Sequence, residues 1–107
     1  MIVQYVRDET NNPFGCVVAI KGEGVDKYRV GYSMKHPADR WNPNLAKKIA
    51  IDRAVLLSPI ETRGIVKDKV RSYCEGSGVN NAERFYKFNN LFYTIEKVIQ
   101  RANKYFK

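Results

Sequence analysis

The chain is poor in the residues that build metal and nucleophilic sites. Among its 107 residues, cysteine occurs twice, at Cys16 and Cys74, and His36 is the single histidine. The cysteines form no Cys-x-x-Cys pair, and a zinc site needs about four closely spaced ligands, so we expect no metal and no cofactor. The sequence contains no nucleophile elbow, no phosphate-binding glycine loop and no paired metal-binding carboxylates. Ser33 with His36 is the remaining combination suited to nucleophilic catalysis, and no motif supports it. We therefore expect a protein that is not an enzyme.

Long apolar runs are also lacking. No stretch approaches the roughly 20 residues that a membrane-spanning helix requires. The N-terminal run of residues 1–6 is too short, and too soon followed by charge, to be a signal peptide. We expect a soluble intracellular protein with no membrane partner.

Positive charge is what the chain has in excess. Its net charge is +8 and its sequence pI is about 9.6. Such an excess attracts anionic partners, which include nucleic acid, nucleotides and acidic membrane surfaces. It also keeps a protein soluble without any specific partner, and net charge alone does not choose between these interpretations.

Three segments have the composition of β-strands: residues 1–7, 14–21 and 28–34. They are rich in β-branched and aromatic residues, and the stretches between them consist of turn-forming residues. Short connections favour antiparallel pairing, because a parallel crossover needs a dozen or more residues. The sequence therefore predicts an N-terminal antiparallel sheet.

A helix is predicted directly after the third strand. Asn42 suits the N-cap and Pro43 suits the first helical position, where a missing N–H costs nothing. Ser58-Pro59 places the end of this helix near Leu57. Small residues along one side of it would permit a close approach to a sheet or to another helix.

These patterns predict the α+β class within one domain. We expect an N-terminal antiparallel three- to four-stranded sheet packed by one helix, followed by a long C-terminal amphipathic helix. The domain, residues 1–107, divides into the sheet plus first helix (1–57), a basic connecting segment (58–81) and a C-terminal oligomerisation helix (82–107). Within the connecting segment, residues 61–64 indicate a turn, and residues 65–73 are compatible with either a short helix or a strand.

The C-terminal segment carries the clearest periodicity. Asn81 can cap a helix that begins at residue 82, and large apolar residues then recur at alternating steps of three and four. At about 1.5 Å per residue, this helix is longer than a three-stranded sheet and one short helix would cover. We therefore predict a homo-oligomer whose interface contains Phe85, Phe88, Phe92, Ile95, Ile99 and Phe106.

The rarest residues of the chain lie together between the third strand and the first helix. This junction contains His36, Asp39, Arg40, Trp41 and Asn42. A helix N-terminus favours anions because its N–H groups point outward, and Arg40 can donate two parallel hydrogen bonds to a phosphate. Trp41 either stacks on a base or fills the gap between sheet and helix as a hydrophobic staple. The sequence leaves both interpretations open.

Further basic residues lie on the first helix. Arg53 occupies an otherwise small, apolar side, where it either binds phosphate, extends to water or pairs with a carboxylate. Lys47 and Lys48 give the region a loose resemblance to the double-stranded-RNA-binding domain, in which paired lysines contact phosphates. That domain begins with a helix, whereas this chain begins with strand composition. A small basic RNA- or DNA-binding module is the alternative function.

A longer pattern runs from Gly31 to Asn42 and continues through Leu45, Ile49-Ala50 and Arg53-Ala54. It resembles small bacteriophage proteins of the Thoeris anti-defence 1 family. The resemblance implies an N-terminal antiparallel sheet followed by helices that drive oligomer assembly. It also implies a non-enzymatic protein that captures a cyclic ADP-ribose signal made by bacterial immune enzymes without cleaving it.

That resemblance implies a site for an anionic nucleotide signal, either a cyclic ADP-ribose isomer or a cyclic oligonucleotide, in the cytoplasm of the infected bacterial host. The expected ligand-binding residues are His36, Asp39, Arg40, Trp41, Asn42 and Arg53, and the chemistry of Asn89, Asn90 and Arg101 adds these three from the C-terminal helix. A further alternative is a phage protein that binds a protein partner through its aromatic helix.

Overall fold

A computed structural model of the chain describes residues 1–36, 38–76 and 82–106. Over these residues the chain forms β1 (Ile2–Arg7), β2 (Pro13–Lys21), β3 (Tyr28–Met34), α1 (Pro43–Leu56), α2 (Pro59–Gly76) and α3 (Ala82–Tyr105). The α+β class and the long C-terminal helix are confirmed. The predicted cap Asn81 lies outside the described residues. None of the helices described here is long and apolar enough to cross a membrane.

The sheet is an antiparallel meander in the order β1-β2-β3. Between β1 and β2, the Asp8 carboxylate accepts hydrogen bonds from the backbone N–H groups of Thr10 and Asn12, at 3.0 and 2.9 Å. The bond from Asn12 is the main reason that the pKa of Asp8 lies below its ordinary value. Asn11 adopts a φ of 66°, a left-handed conformation that asparagine tolerates in tight turns. Turn chemistry thus fixes the first hairpin.

Helices cover both faces of the sheet. α1 packs on one face against β2 and β3, where the buried residues are Cys16, Val18, Ala50 and Ala54. α2 and α3 pack on the other face, where the larger core includes Val17, Val30, Tyr32, Val66, Leu91, Ile95 and Val98. The sheet is therefore the middle of three layers.

Helix α2 corrects the sequence prediction for the connecting segment. Residues 61–64, predicted as a turn, lie within the first half of this helix. Its start is a capping box: the Ser58 N–H donates to Glu61 Oε2 at 2.7 Å, and the Glu61 N–H donates to Ser58 Oγ at 3.2 Å. Thr62 and Val66 then face inward and are fully buried. The Ser-x-x-Glu signal outweighs the turn preference of Gly64.

Helix α3 buries part of its apolar stripe within one chain, and the homo-oligomer itself stays a prediction. Ile95 and Ile99 are only 0% and 4% exposed in the single chain, and Phe92 and Phe106 pack against the same core. Phe88 contacts Tyr73 of α2 with ring centroids 4.8 Å apart, and Phe85 is half-buried. The added surface comes from α2, which the sequence analysis treated as a connector. Ile95 and Ile99 are therefore not available to a second copy.

Candidate functional site

The position of α1 is set by its close approach to β3 at Gly31. A Cβ atom at Gly31 would overlap the Ala50 carbonyl oxygen and the backbone of Ala54, so the helix backbone lies directly on the strand. One turn before Ala50, the Ser33 hydroxyl donates to the Ala46 carbonyl at 2.8 Å. These contacts place the N-terminus of α1 beside the end of β3.

The start of α1 has the predicted cap. Asn42 is extended, with φ −133° and ψ 102°, and its Oδ1 accepts from the Leu45 N–H at 3.1 Å. Pro43 follows at the first helical position, and the first turn contains no acidic residue. The positive end of the helix dipole is therefore not neutralised from within the helix.

The loop that precedes α1 is held by its own polar groups. Lys35 Nζ donates to the Asp39 carbonyl at 2.9 Å, and the Asp39 N–H donates to the His36 carbonyl at 2.9 Å. The Ala38 N–H donates to His36 Nδ1 at 3.2 Å, which requires that this nitrogen carry no proton. These bonds leave the Asp39 carboxylate and the Arg40 guanidinium outside the loop's internal network.

A cleft opens between this loop, the end of β3 and the first two turns of α1. Its cavity volume is about 80 Å³, well below the range of about 300–1,000 Å³ typical of sites that enclose a whole small molecule, so it can hold part of a ligand whose remainder extends beyond its open mouth. Its lining consists of Ser33, Met34, Lys35, His36, Asp39, Arg40, Trp41, Asn42, Leu45, Ala46 and Ile49. Five of the predicted ligand-binding residues, His36, Asp39, Arg40, Trp41 and Asn42, thus lie together.

Trp41 both packs against the protein and lines the cleft, so its position fits in part each of the two roles that the sequence left open, stacking on a base and filling the gap between sheet and helix. Its ring meets Tyr5 of β1 edge-on, with centroids 5.8 Å apart and an interplanar angle of 85°. The residue is half-buried, and it also lines the cleft. Tyr5 thereby supports one side of the indole while part of the ring stays accessible.

The cleft has an excess of positive charge. Among the described residues, the ion pairs are Arg29 with Asp26, Arg63 with Glu96 and Arg71 with Asp68. Neither Lys35 nor Arg40 takes part in one, and both line the cleft together with a single carboxylate, Asp39. An anion at this place would meet two cations and the positive end of α1.

Arg53 lies beyond the cleft, and it contacts Tyr32, a partner that the sequence did not suggest. Its Nη1 donates to the Tyr32 carbonyl at 2.9 Å, and its guanidinium carbon lies 5.3 Å from the centroid of the Tyr32 ring. It therefore neither pairs with a carboxylate nor lines the cleft. It does lie one turn beyond Ile49, which lines the cleft.

The three predicted residues of α3 do not reach the cleft, because α3 packs on the opposite face of the sheet from α1. Asn90 Nδ2 donates to the Arg7 carbonyl at 3.4 Å, and Asn89 is half-buried on the same helix. Arg101 lines a separate depression with Tyr105 and the start of β1. The sequence shows that α3 is amphipathic, but not which face of the sheet it covers.

Sequence reasoning also missed residues that complete the cleft. Tyr5 supports Trp41 from β1, and Ser33 joins the cleft to α1. Leu45 and Ile49 form an apolar wall; their spacing of four residues places them on one side of the helix, but it does not show that this side lines a cleft. The Tyr5–Trp41 contact left no such signal, because it joins residues far apart in the sequence.

The described residues offer little for covalent or metal chemistry. Cys16 is buried in the sheet, and burial raises the pKa of its thiol to about 11, so it stays protonated near neutral pH. Within the described ranges, no group of three or more His, Cys, Asp or Glu side chains is placed to hold a metal ion. The arrangement is suited to holding an anionic, partly aromatic molecule through cations, dipoles and a ring.

Comparisons of this chain with models of protein families, with curated proteins and with solved structures found no match.

Proposed function

We propose that this protein is a non-enzymatic phage anti-defence protein that binds and sequesters a cyclic nucleotide immune signal. The observation that carries the proposal is the cleft at the start of α1. There the half-buried ring of Trp41 lies with Lys35 and Arg40 at a helix N-terminus that has no acidic residue in its first turn. The resemblance of residues 31–54 to the Thoeris anti-defence 1 family supports the same assignment.

The cleft and its open rim offer a suitable partner to each group of a cyclic nucleotide. An adenine can stack on the accessible part of the Trp41 indole, which Tyr5 holds in place. A phosphate can accept hydrogen bonds from the Arg40 guanidinium near the N-terminus of α1. The Asp39 carboxylate can accept a hydrogen bond from a ribose hydroxyl. A site for phosphate alone would have no use for such an acceptor.

The proposal includes the fate of the ligand. The protein is expected to hold the cyclic nucleotide without breaking a bond, so denaturation should release the ligand intact. A chain that captures one ligand per site must act in proportion to its own amount rather than catalytically. This makes recovery of the unchanged ligand a direct measurement of the mechanism.

The test is a thermal-shift screen of the full chain against cyclic ADP-ribose isomers, cyclic di- and trinucleotides, linear ADP-ribose and short RNA and DNA duplexes. A ligand at about 100 times its dissociation constant should add about 2.7 kcal/mol to the free energy of unfolding. Quenching of the single tryptophan reports whether binding occurs at the cleft. Trp41→Ala and Arg40→Gln should each weaken binding at least tenfold. Lys48→Gln, an exposed α1 residue outside the cleft lining, is the control with the same charge change.

Three results would contradict the proposal. One is the absence of a shift with every cyclic nucleotide, and another is recovery of a degraded nucleotide, which would make the protein an enzyme. The third is binding to duplexes alone, with an affinity that falls steeply with salt because phosphate contacts release counterions. That result would favour the nucleic-acid-binding module.

A further inference from the structure

Two cations from different helices meet at one buried tyrosine. Tyr32 of β3 is 4% exposed. Arg53 of α1 lies 5.3 Å from its ring centroid and donates to its carbonyl, while Lys69 Nζ of α2 lies 5.5 Å from the centroid. Lys69 Nζ also donates to the Tyr32 hydroxyl at 2.9 Å. We call Arg53 and Lys69 the Tyr32 cation pair.

The fold brings the pair together at the edge of the sheet. α1 and α2 pack on opposite faces, and β3 is an edge strand, so their side chains can meet only around that edge. On the α2 side, the Thr62 hydroxyl donates to the Val30 carbonyl of β3 and holds the helix against the strand. Lys69 follows two turns later. Both cations are thus positioned by contacts with β3 rather than by each other.

The pair has no acidic partner. None of the three ion pairs in the described part of the chain includes Arg53 or Lys69, and the nearby Asp68 pairs with Arg71. Lys69 Nζ lies at the hydroxyl end of the Tyr32 side chain, and the Arg53 guanidinium lies at the backbone carbonyl of the same residue. A guanidinium has five N–H donors and an ammonium three, so both retain donors after their bonds to Tyr32. An oxyanion would use those donors.

The pair also adjoins the cleft. Ser33, the next residue after Tyr32, lines it, and so does Ile49, four residues before Arg53 on α1. Four residues of helix correspond to about 6 Å along the axis. A ligand that extends from the cleft along this side of α1 therefore reaches Arg53, and Lys69 lies at the hydroxyl of the tyrosine whose carbonyl Arg53 contacts.

We propose that Arg53 and Lys69 form a phosphate subsite, which receives a phosphate of a nucleotide whose base or ribose occupies the cleft. Tyr32 is the positioning residue that spaces the two cations. This inference rests on the proposed function for the identity of the nucleotide, but not for the binding of phosphate itself. It makes Lys69, on the helix that packs the other face of the sheet, a ligand-binding residue.

The experiment titrates the full ¹⁵N-labelled chain with inorganic pyrophosphate at constant ionic strength, with sodium chloride as the matching salt. The backbone amide signals of Arg53 and Lys69 should shift and saturate, and pyrophosphate that binds Arg40 in the cleft is recognised separately by the indole N–H signal of Trp41. Lys69→Met, which keeps the aliphatic chain and loses the charge, should weaken binding about tenfold. Lys69→Arg should restore it. Lys67→Met, an exposed lysine on the same helix, is the control and should bind as the unaltered chain does.

The outcomes separate the two proposals. The subsite is overturned if the Arg53 and Lys69 signals do not saturate, or if Lys69→Met binds pyrophosphate as tightly as Lys67→Met. If a cyclic nucleotide then still shifts Trp41, the cleft function stands without the subsite. If pyrophosphate saturates the pair and no cyclic nucleotide shifts Trp41, the subsite stands and the proposed function fails. Because Lys69 is exposed, its variants should keep the fold, which unchanged amide signals elsewhere in the chain will verify.

Discussion

The two faces of the sheet are packed in opposite ways. On the α2–α3 face, large side chains such as Leu91 and Ile95 fill the space between layers. On the α1 face, Gly31 and two alanines let the helix backbone lie directly on the strand. Buried apolar area stabilises the first face. On the second face, direct backbone contact fixes the distance between α1 and the sheet. The candidate site lies on the second face, where a fixed helix position determines the shape of the cleft.

The largest effect is expected from Ile95→Ala on the large-residue face. Ile95 is fully buried, and removal of its outer atoms leaves a cavity that close-packed neighbours fill only in part. The free energy of unfolding should fall by about 4 kcal/mol, as measured by chemical denaturation. Ligand affinity of the folded protein at the cleft should not change. The loss should be equal at two protein concentrations tenfold apart. A concentration-dependent loss would place Ile95 in an interface between copies.

Gly31→Ala should have the next largest effect and should break the α1 face. The added Cβ meets backbone atoms of Ala50 and Ala54, which can yield only if the whole helix moves. We expect a loss of about 3 kcal/mol, at the upper end of the usual cost of overpacking. The part of the population that stays folded should lose nucleotide binding, because the N-terminus of α1 no longer meets the end of β3.

The matched control for Gly31→Ala is Gly64→Ala on α2. A Cβ there meets nothing within 4 Å. Alanine is the better helix former, so this variant should gain about 0.5–1 kcal/mol. Equal effects of the two substitutions on stability, or unchanged ligand binding in Gly31→Ala, would refute the view that backbone contact positions the site.

Ser33→Ala tests the same face more gently. Ser33 is 3% exposed, and its hydroxyl donates to the Ala46 carbonyl of α1. Its loss should cost about 1 kcal/mol of stability. The effect on nucleotide affinity should be larger than this stability loss suggests, because Ser33 lines the cleft and ties it to the helix. A variant with lower stability and full affinity would show that Gly31 alone is sufficient.

The elements that the sequence predicted well are those with local signals. β-branched strands, short turns and the Asn42-Pro43 cap each act within a few residues, so β1, β2, β3 and α1 could be located. Helix α2 also had a local signal, the pair Ser58 and Glu61, but the turn residues around Gly64 obscured it. Its consequence was large, because the surface that α2 supplies is what buries the stripe of α3.

In the candidate site too, the residues with local signals could be predicted and those joined by distant contacts could not. The cleft residues from His36 to Asn42 belong to one short segment, and rare residues in one segment at a helix start are visible in a sequence. Lys69 and Tyr32 are 37 positions apart and come into contact only because α2 packs against β3. No periodicity in the sequence predicts a contact of this kind. The position of the predicted α3 residues, such as Arg101, away from the cleft has the same reason: amphipathicity does not tell which face a helix covers.

The smallest effect is expected at the capping box of α2, on the large-residue face. It is an effect of pH on the stability of the fold. The backbone N–H of Ser58 is the main cause that lowers the pKa of the Glu61 carboxylate below its ordinary value of 4.5. A lowered pKa in the folded state means that the ionised group stabilises the fold above pH 4.5, and that this contribution is lost as the pH falls through the lower folded value. The melting temperature should therefore decline on acidification from about pH 5 to pH 3. In Glu61→Gln, which keeps an acceptor for Ser58 without a charge, the decline should be shallower. An identical acid limb in both proteins would exclude Glu61 from it and make Asp8, whose carboxylate also has a lowered pKa, the next group to substitute.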